Sequence, residues 1–400
     1  MCAAVNPDLN KLQPYPFQRL RTLFEGITPP ADFTPINLSI GEPKHATPAL
    51  IRDALVQNLD GLAGYPATAG MDKLRTGIAQ WLEKRYHIAH INPQTQVLPV
   101  NGSREALFAF AQAIIDRTKQ PVVISPNPFY QIYEGAALLA GATPYYLNTL
   151  PSNGYRMDFD TVPQDILQRT QLVYVCSPGN PTGKVMTLED WRELFALSDQ
   201  YNFVIAADEC YSEIYFDEAN PPLGALQAAQ QLGRKDFDNL VVFSSLSKRS
   251  NVPGMRSGFV AGDAQILEKF LLYRTYHGCA MSPTVQMASL AAWQDETHVR
   301  ENRRLYRNKF AAFKAELAGT LTVDMPDAAF YYWVKTPIND CDFARALQRD
   351  YNVTVLPGSY LAREAHGVNP GANFVRVALV ASETECLQAA QRIKALIQTL

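Results

Sequence analysis

Four short segments place chemically capable side chains together. The richest runs Ser245-Leu246-Ser247-Lys248-Arg249-Ser250-Asn251 and continues to Arg256, eight residues beyond the lysine. A lysine that is to form an imine has to lose its proton, and burial or neighbouring cations favour the neutral amine. Arg249 and Arg256 are candidates for that bias. Arg256, with the hydroxyls of Ser245 and Ser247, would also cradle a phosphate. The plainer alternative is a basic surface loop.

The other three segments are weaker alone. In Asp208-Glu209-Cys210-Tyr211 an apolar run ends abruptly in a carboxylate. A polar residue at the C-terminal end of a parallel strand faces the ligand crevice, although Asp208 could equally be a helix cap. Asn180-Pro181-Thr182-Gly183 reads as a turn, functional or not. Asn101-Gly102-Ser103-Arg104 precedes a helical pattern, and free N–H groups at a helix start favour a phosphate.

The elements that must position these residues alternate along the chain. Strands are expected at 96–100, 121–125, 143–147, 171–176, 203–207, 240–244 and 258–261, where short Val-, Ile- and aromatic-rich runs are bounded by Gly, Pro, Asn or Asp. Between them lie helical stripes such as Leu107, Phe110 and Ile114. Beyond Met281 the pattern predicts a charged helix over 296–317, strands at 330–334 and 374–379, and a closing amphipathic helix over 383–399. The first 60 residues are Pro-rich and read as an extended arm. The expected fold is α/β: a large domain with a mostly parallel central sheet (61–290), and a smaller α+β domain from both chain ends (1–60 and 291–400).

Bulk properties narrow the chemistry. A chain of 400 residues exceeds the length at which single cores split. A net charge of −3 gives no reason to expect nucleic acid or an anionic membrane as partner. No segment approaches the roughly 18 unbroken apolar residues of a membrane span, and 1–10 shows no secretory pattern. The six cysteines stand singly, so neither a disulfide framework nor a metal cage is expected and a cytoplasmic setting suits them. No two glycines flank a single residue, which removes the dinucleotide fingerprint, and no G-x-S-x-G elbow occurs.

Taken in order, Asn180-Pro181-x-Gly183, Asp208-x-x-Tyr211, Ser245-x-Ser247-Lys248, Arg256 and a late-strand Arg376 resemble the fold-type I pyridoxal-phosphate (PLP) aminotransferases of class I/II. The resemblance covers nearly the whole chain. It implies the PLP-transferase fold type I, a homodimer with shared active sites, and small amino-acid and 2-oxo-acid substrates. It implies that Lys248 binds PLP and acts as acid and base. Asp208 would pair with the pyridine nitrogen, Asn180 and Tyr211 would bind the phenolic oxygen, and Tyr130 would stack on the ring, with Phe129 as the alternative. Ser103, Arg104, Ser245, Ser247 and Arg256 would bind phosphate, joined by Tyr65 of a partner subunit. Arg376, Asn180 and the backbone of Gly41 would hold the substrate α-carboxylate.

Two stretches, 37–48 (Asn37-Leu38-Ser39-Ile40-Gly41-Glu42-Pro43-Lys44-His45-Ala46-Thr47-Pro48) and 247–251, look like the succinyldiaminopimelate aminotransferases of bacterial lysine biosynthesis. That implies glutamate and 2-oxoglutarate as one couple and N-succinyl-L-2-amino-6-oxopimelate as the other acceptor. Residues 276–283 hold no arginine, whereas one aspartate aminotransferase subgroup carries a side-chain carboxylate anchor there. Lys44, Arg19 and Arg21 are the candidate cations for distal carboxylates. An aspartate- or alanine-type aminotransferase and a PLP-dependent C–S lyase are the alternatives.

Overall fold

A computed structural model describes residues 5–400, so Cys2 and the start of the arm lie outside the described residues. Among the described residues twelve strands form: β1 Ile36–Asn37, β2 Val97–Val100, β3 Val122–Asn127, β4 Thr143–Asn148, β5 Thr170–Cys176, β6 Val204–Asp208, β7 Leu240–Ser245, β8 Gly258–Gly262, β9 Tyr331–Lys335, β10 Val353–Thr354, β11 Leu356–Pro357 and β12 Phe374–Ala378. The nine longer ones match the sequence expectation within a few residues. The two-residue strands β1, β10 and β11 are too short for any periodicity to reveal.

Seven strands make one sheet in the order β2-β8-β7-β6-β5-β3-β4. β8 alone runs against its neighbours. Alternate residues of the pleat serve opposite cores: Val173 and Val175 pack with Trp81, Trp191 and Trp293, whereas Leu172 and Tyr174 pack with Phe110, Tyr133 and Phe270. Helices cover both faces, so these strands are apolar throughout rather than alternating. The polar ends of the parallel strands therefore collect along one edge, where β6 delivers Asp208 and β7 delivers Ser245.

A second core surrounds the antiparallel sheet β11-β12-β9. Helices Thr297–Leu317, Asp340–Tyr351 and Glu383–Thr399 pack around it. β1 joins this end of the molecule by pairing in parallel with β10.

The N-terminal 60 residues are less extended than expected. They contain helices Pro16–Leu23 and Ala49–Gln57, and Ile51 of the second is buried in the core of the large sheet. Helix Pro283–Gln294 belongs to the same core through Ala288, Ala292 and Trp293. Boundaries at 60 and 290 would therefore separate Ile51 from its core and cut a helix. We propose divisions before residue 49 and after residue 294 instead. Among the described residues no helix is long and apolar enough to cross a membrane.

Candidate active site

Between the edge of the large sheet and the small sheet lies a cavity of about 480 Å³. Its wall contains Lys248, Asp208, Tyr211, Asn180, Arg376 and Gly41, together with Ser103, Arg104, Tyr130, Ser245, Ser247 and Arg256. Thus the residues that the resemblance assigned to cofactor and α-carboxylate in this chain's own site meet at one place. Tyr65, expected to serve a partner subunit, stands fully exposed and does not line the cavity of its own chain.

Lys248 sits in the one-turn helix Leu246–Arg249 that follows β7, capped by the Ser245 side chain, which accepts from the Ser247 N–H. Its ammonium donates to the Gly41 carbonyl. Burial pushes the amine down to about 8, with Arg376 and Arg104 adding repulsion, against a smaller upward pull from Cys210 and Glu42. The bias expected from Arg249 is absent. Its guanidinium points into the core, donating to the Ala292 carbonyl at 2.7 Å and to Glu296 Oε1 at 2.6 Å. On one helical turn adjacent residues lie about 100° apart, so Lys248 and Arg249 cannot share a face.

Asp208 is 4 % exposed at the end of β6. Its Oδ2 accepts from the Tyr133 hydroxyl at 2.7 Å and its Oδ1 from the Cys210 N–H at 3.2 Å. Burial raises its pKa, and those hydrogen bonds and Lys248 only partly offset the effect. A carboxylate so placed favours a cation brought into the cavity.

Another part of the cavity wall is built for an anion. Helix Ser103–Ile114 aims its N-terminus there. Ser245 Oγ lies 2.8 Å from Ser247 Oγ, which in turn lies 3.4 Å from Arg256 Nη1. Gly102 has φ +84°, and a Cβ there would overlap the Arg256 guanidinium. The positive φ favours glycine, and any side chain there would also make the guanidinium shift. Arg104 Nε donates to Tyr130 Oη at 2.6 Å, which fixes that ring at the wall. Phe129 is buried and stacks on Tyr146 instead, so Tyr130 is the aromatic available to a bound ring.

Arg376, on β12, is 4 % exposed. It donates to Asn180 Oδ1 at 2.9 Å and to the Ser39 carbonyl at 2.7 Å, and among the described residues its Nε has no partner. The Tyr211 and Tyr331 hydroxyls lie 2.8 Å apart. Sequence reasoning missed Tyr331, inside a segment read as an apolar strand, and also Tyr133 and Tyr15, the last of them in the Pro-rich stretch read as an extended arm. The Tyr331 hydroxyl fills the place a Cβ on Gly41 would need.

None of the expected distal cations lines the cavity: Lys44 and Arg21 are exposed, and the Arg19 guanidinium lies 3.9 Å from the Tyr360 ring centroid. The 249–251 stretch likewise faces away. Ser250 Oγ lies 2.8 Å from His298 Nε2, and Asn251 donates to Asn302 Oδ1 at 3.1 Å. That resemblance therefore concerns packing against residues 292–302 rather than substrate.

A buried carboxylate, an anion cradle and a lysine near neutrality, all on one cavity, fit the ring nitrogen, phosphate and aldehyde of PLP.

Residues 34–393 match the family described as aminotransferase class I and II. The LL-diaminopimelate aminotransferase of Aquifex aeolicus is 30% identical over 394 residues, 96% of this chain and 97% of its own. A solved aminotransferase from Neisseria meningitidis Z2491 is 51% identical with a TM-score of 0.95, covering 98% of this chain and 100% of that one. Aminotransferase AspB from Helicobacter pylori 26695 is 35% identical with a TM-score of 0.90, covering 97% and 100%.

Proposed function

The chain belongs to the class I and II aminotransferases, PLP-dependent enzymes, and from that premise we propose that it transaminates a diaminopimelate, with glutamate and 2-oxoglutarate as the other couple. The observation that carries the chemistry is the cavity wall itself, where Lys248, Asp208 and Arg376 converge.

When bound, PLP supplies the electron sink that makes the substrate Cα acidic. Lys248 would anchor the cofactor and, once displaced by the substrate's amine, its free amine would move the proton between the substrate Cα and C4′. An amine with a pKa of about 8 is suited to both transfers near neutral pH. Asp208 keeps a proton on the ring nitrogen. Asn180 and Tyr211 bind the phenolic oxygen, while Ser103, Arg104, Ser245, Ser247 and Arg256 hold the phosphate. Tyr130 covers one ring face. Arg376 clamps the α-carboxylate and so orients Cα toward Lys248. Tyr65 of a second copy completes the phosphate site.

We take N-succinyl-L,L-2,6-diaminopimelate as the preferred donor, on the resemblance of residues 37–48. Free LL-diaminopimelate is the second reading. The name of the Aquifex aeolicus relative favours it, and so does Glu42, a carboxylate on the cavity wall suited to a distal ammonium. The test is kcat/KM for succinylated and free diaminopimelate, aspartate and alanine, each with 2-oxoglutarate. The succinylated donor should lead by roughly 30-fold or more, the effect of a buried polar partner left unmatched. Preference for the free compound selects the second reading, and parity with aspartate or alanine removes both.

A further inference from the structure

Lys309, on helix Thr297–Leu317, is 3 % exposed, and among the described residues no carboxylate lies within ion-pair distance of it. Its Nζ lies 2.6 Å from His45 Nε2. On the far side of that ring, His45 Nδ1 lies 2.7 Å from Asn302 Oδ1. Asn302 Nδ2 in turn donates to the main-chain carbonyl of Lys248 at 3.2 Å. The donors and acceptors fit in one order. The Asn302 oxygen accepts, so His45 Nδ1 carries the hydrogen; His45 Nε2 is then a lone pair, which accepts from the Lys309 ammonium. A neutral His45 satisfies every group, whereas a doubly protonated ring would set an N–H against an ammonium.

His45 is also four residues from Gly41, whose carbonyl accepts from the Lys248 side chain. Thr47 Oγ1, two residues further, donates to the Asn251 carbonyl at 3.3 Å. One segment therefore grips the lysine loop by side chain and by main chain. We infer that His45 is a positioning residue for Lys248, acting through Asn302. This rests on Lys248 carrying the cofactor, which borohydride labelling tests separately.

Burial and the Lys309 charge hold His45 below its usual range, while Asn302 and Glu301 pull the other way. Lys309 itself is pushed down to about 8 by burial, with Cys386, Glu383 and Glu385 opposing. Lys44 adds its charge near Glu385 and Cys386. The ammonium of Lys309 and the neutral ring of His45 therefore coexist near pH 7.

The experiment follows the visible absorbance of the holoenzyme against pH in His45→Leu, His45→Asn and Lys309→Met, with kcat, KM and thermal melting measured alongside. His45→Leu should move the spectroscopic midpoint by about half a pH unit or more, a threefold change in proton affinity. It should lower kcat about tenfold while KM stays within about twofold. His45→Asn, whose amide can replace the Nδ1 donor, should recover both. A midpoint unchanged in His45→Leu overturns the inference, even where melting temperature and kcat fall together. So does a failure of His45→Asn to restore what His45→Leu displaces. Lys309→Met, which keeps the chain length and removes the charge, decides the matter should His45→Leu not fold: an unmoved midpoint there overturns the inference.

Discussion

Tyr133 donates its hydroxyl to Asp208 across 2.7 Å, in a pocket where both side chains are buried. The tyrosine sits on helix Ile132–Ala140 and stacks on Tyr174, so its ring is fixed before any ligand arrives. Tyr133→Phe keeps that stacking and removes only the donor. Asp208 should then hold its own proton more readily and support the ring nitrogen less well. Steady-state kinetics should show kcat/KM falling about fivefold to tenfold, the usual worth of one hydrogen bond near 1 kcal/mol. Asp208→Ala should lose several orders of magnitude while retaining part of the cofactor through the phosphate cradle.

Lys248 gives a pH prediction for the cofactor-free protein. Its amine is held at about 8, below the ordinary lysine value to which it returns on unfolding. Below pH 8 both states carry the proton, and the full penalty of burying the charge is present. Between about 8 and 10 the folded state binds fewer protons than the unfolded one, so stability rises with pH. Denaturant titrations at pH 7.5 and 9.5 should show wild type gaining on Lys248→Met over this interval. A constant gap between the two would mean that the amine titrates normally.

Gly102→Ala should weaken cofactor binding without abolishing the fold. The substitution adds a Cβ at φ +84° and against the Arg256 guanidinium. A strained non-glycine residue costs about 1–3 kcal/mol, and a displaced Arg256 loses its aim at the phosphate. Equilibrium dialysis should show a tenfold to hundredfold rise in the PLP dissociation constant. Inorganic phosphate should inhibit reconstitution less than in wild type.

Tyr65 is tested by mixing. Its side chain projects fully into solvent from the loop after Leu59–Ala63. Should it complete the site of a second copy, Tyr65→Ala and Lys248→Ala proteins, each impaired alone, will regain up to a quarter or so of wild-type activity when refolded together, since a hybrid dimer rebuilds one intact site of two. Mixtures no more active than the sum of the two would remove the shared site.

The sequence was most readable where polarity changes abruptly. Asp208 and Ser245 announce themselves because each closes an apolar run, and in a sheet covered on both faces such residues can only lie at its edge. Arg376 stands out in the same way between Val375 and Val377. The aromatic partners were hidden for the converse reason. In Phe330-Tyr331-Tyr332-Trp333-Val334 both faces are buried, so nothing in the pattern tells that Tyr331 borders the cavity while Tyr332 donates to the Phe310 carbonyl inside the core. Arg249 misled because its neighbour in sequence is not its neighbour in space on a helical turn. Lys44, Arg19 and Arg21 misled because charge alone does not say which surface a side chain faces.

The pairing of β1 with β10 has a consequence for the order of events on the ribosome. Residues 36–41 carry Ser39 and Gly41, which hold Arg376 and Lys248. Yet Ile36 and Asn37 find their strand only at Val353 and Thr354, and Leu38 accepts from the Ala378 N–H at 2.8 Å. The large sheet can close once residue 262 has emerged, since its last strand is then complete. Over the following hundred or so residues of synthesis the nascent chain holds its lysine loop without the segment that grips it. Loading of the finished cavity is therefore a late, largely post-translational step, and truncation between residues 294 and 378 should release a protein with a folded sheet and an ungripped lysine.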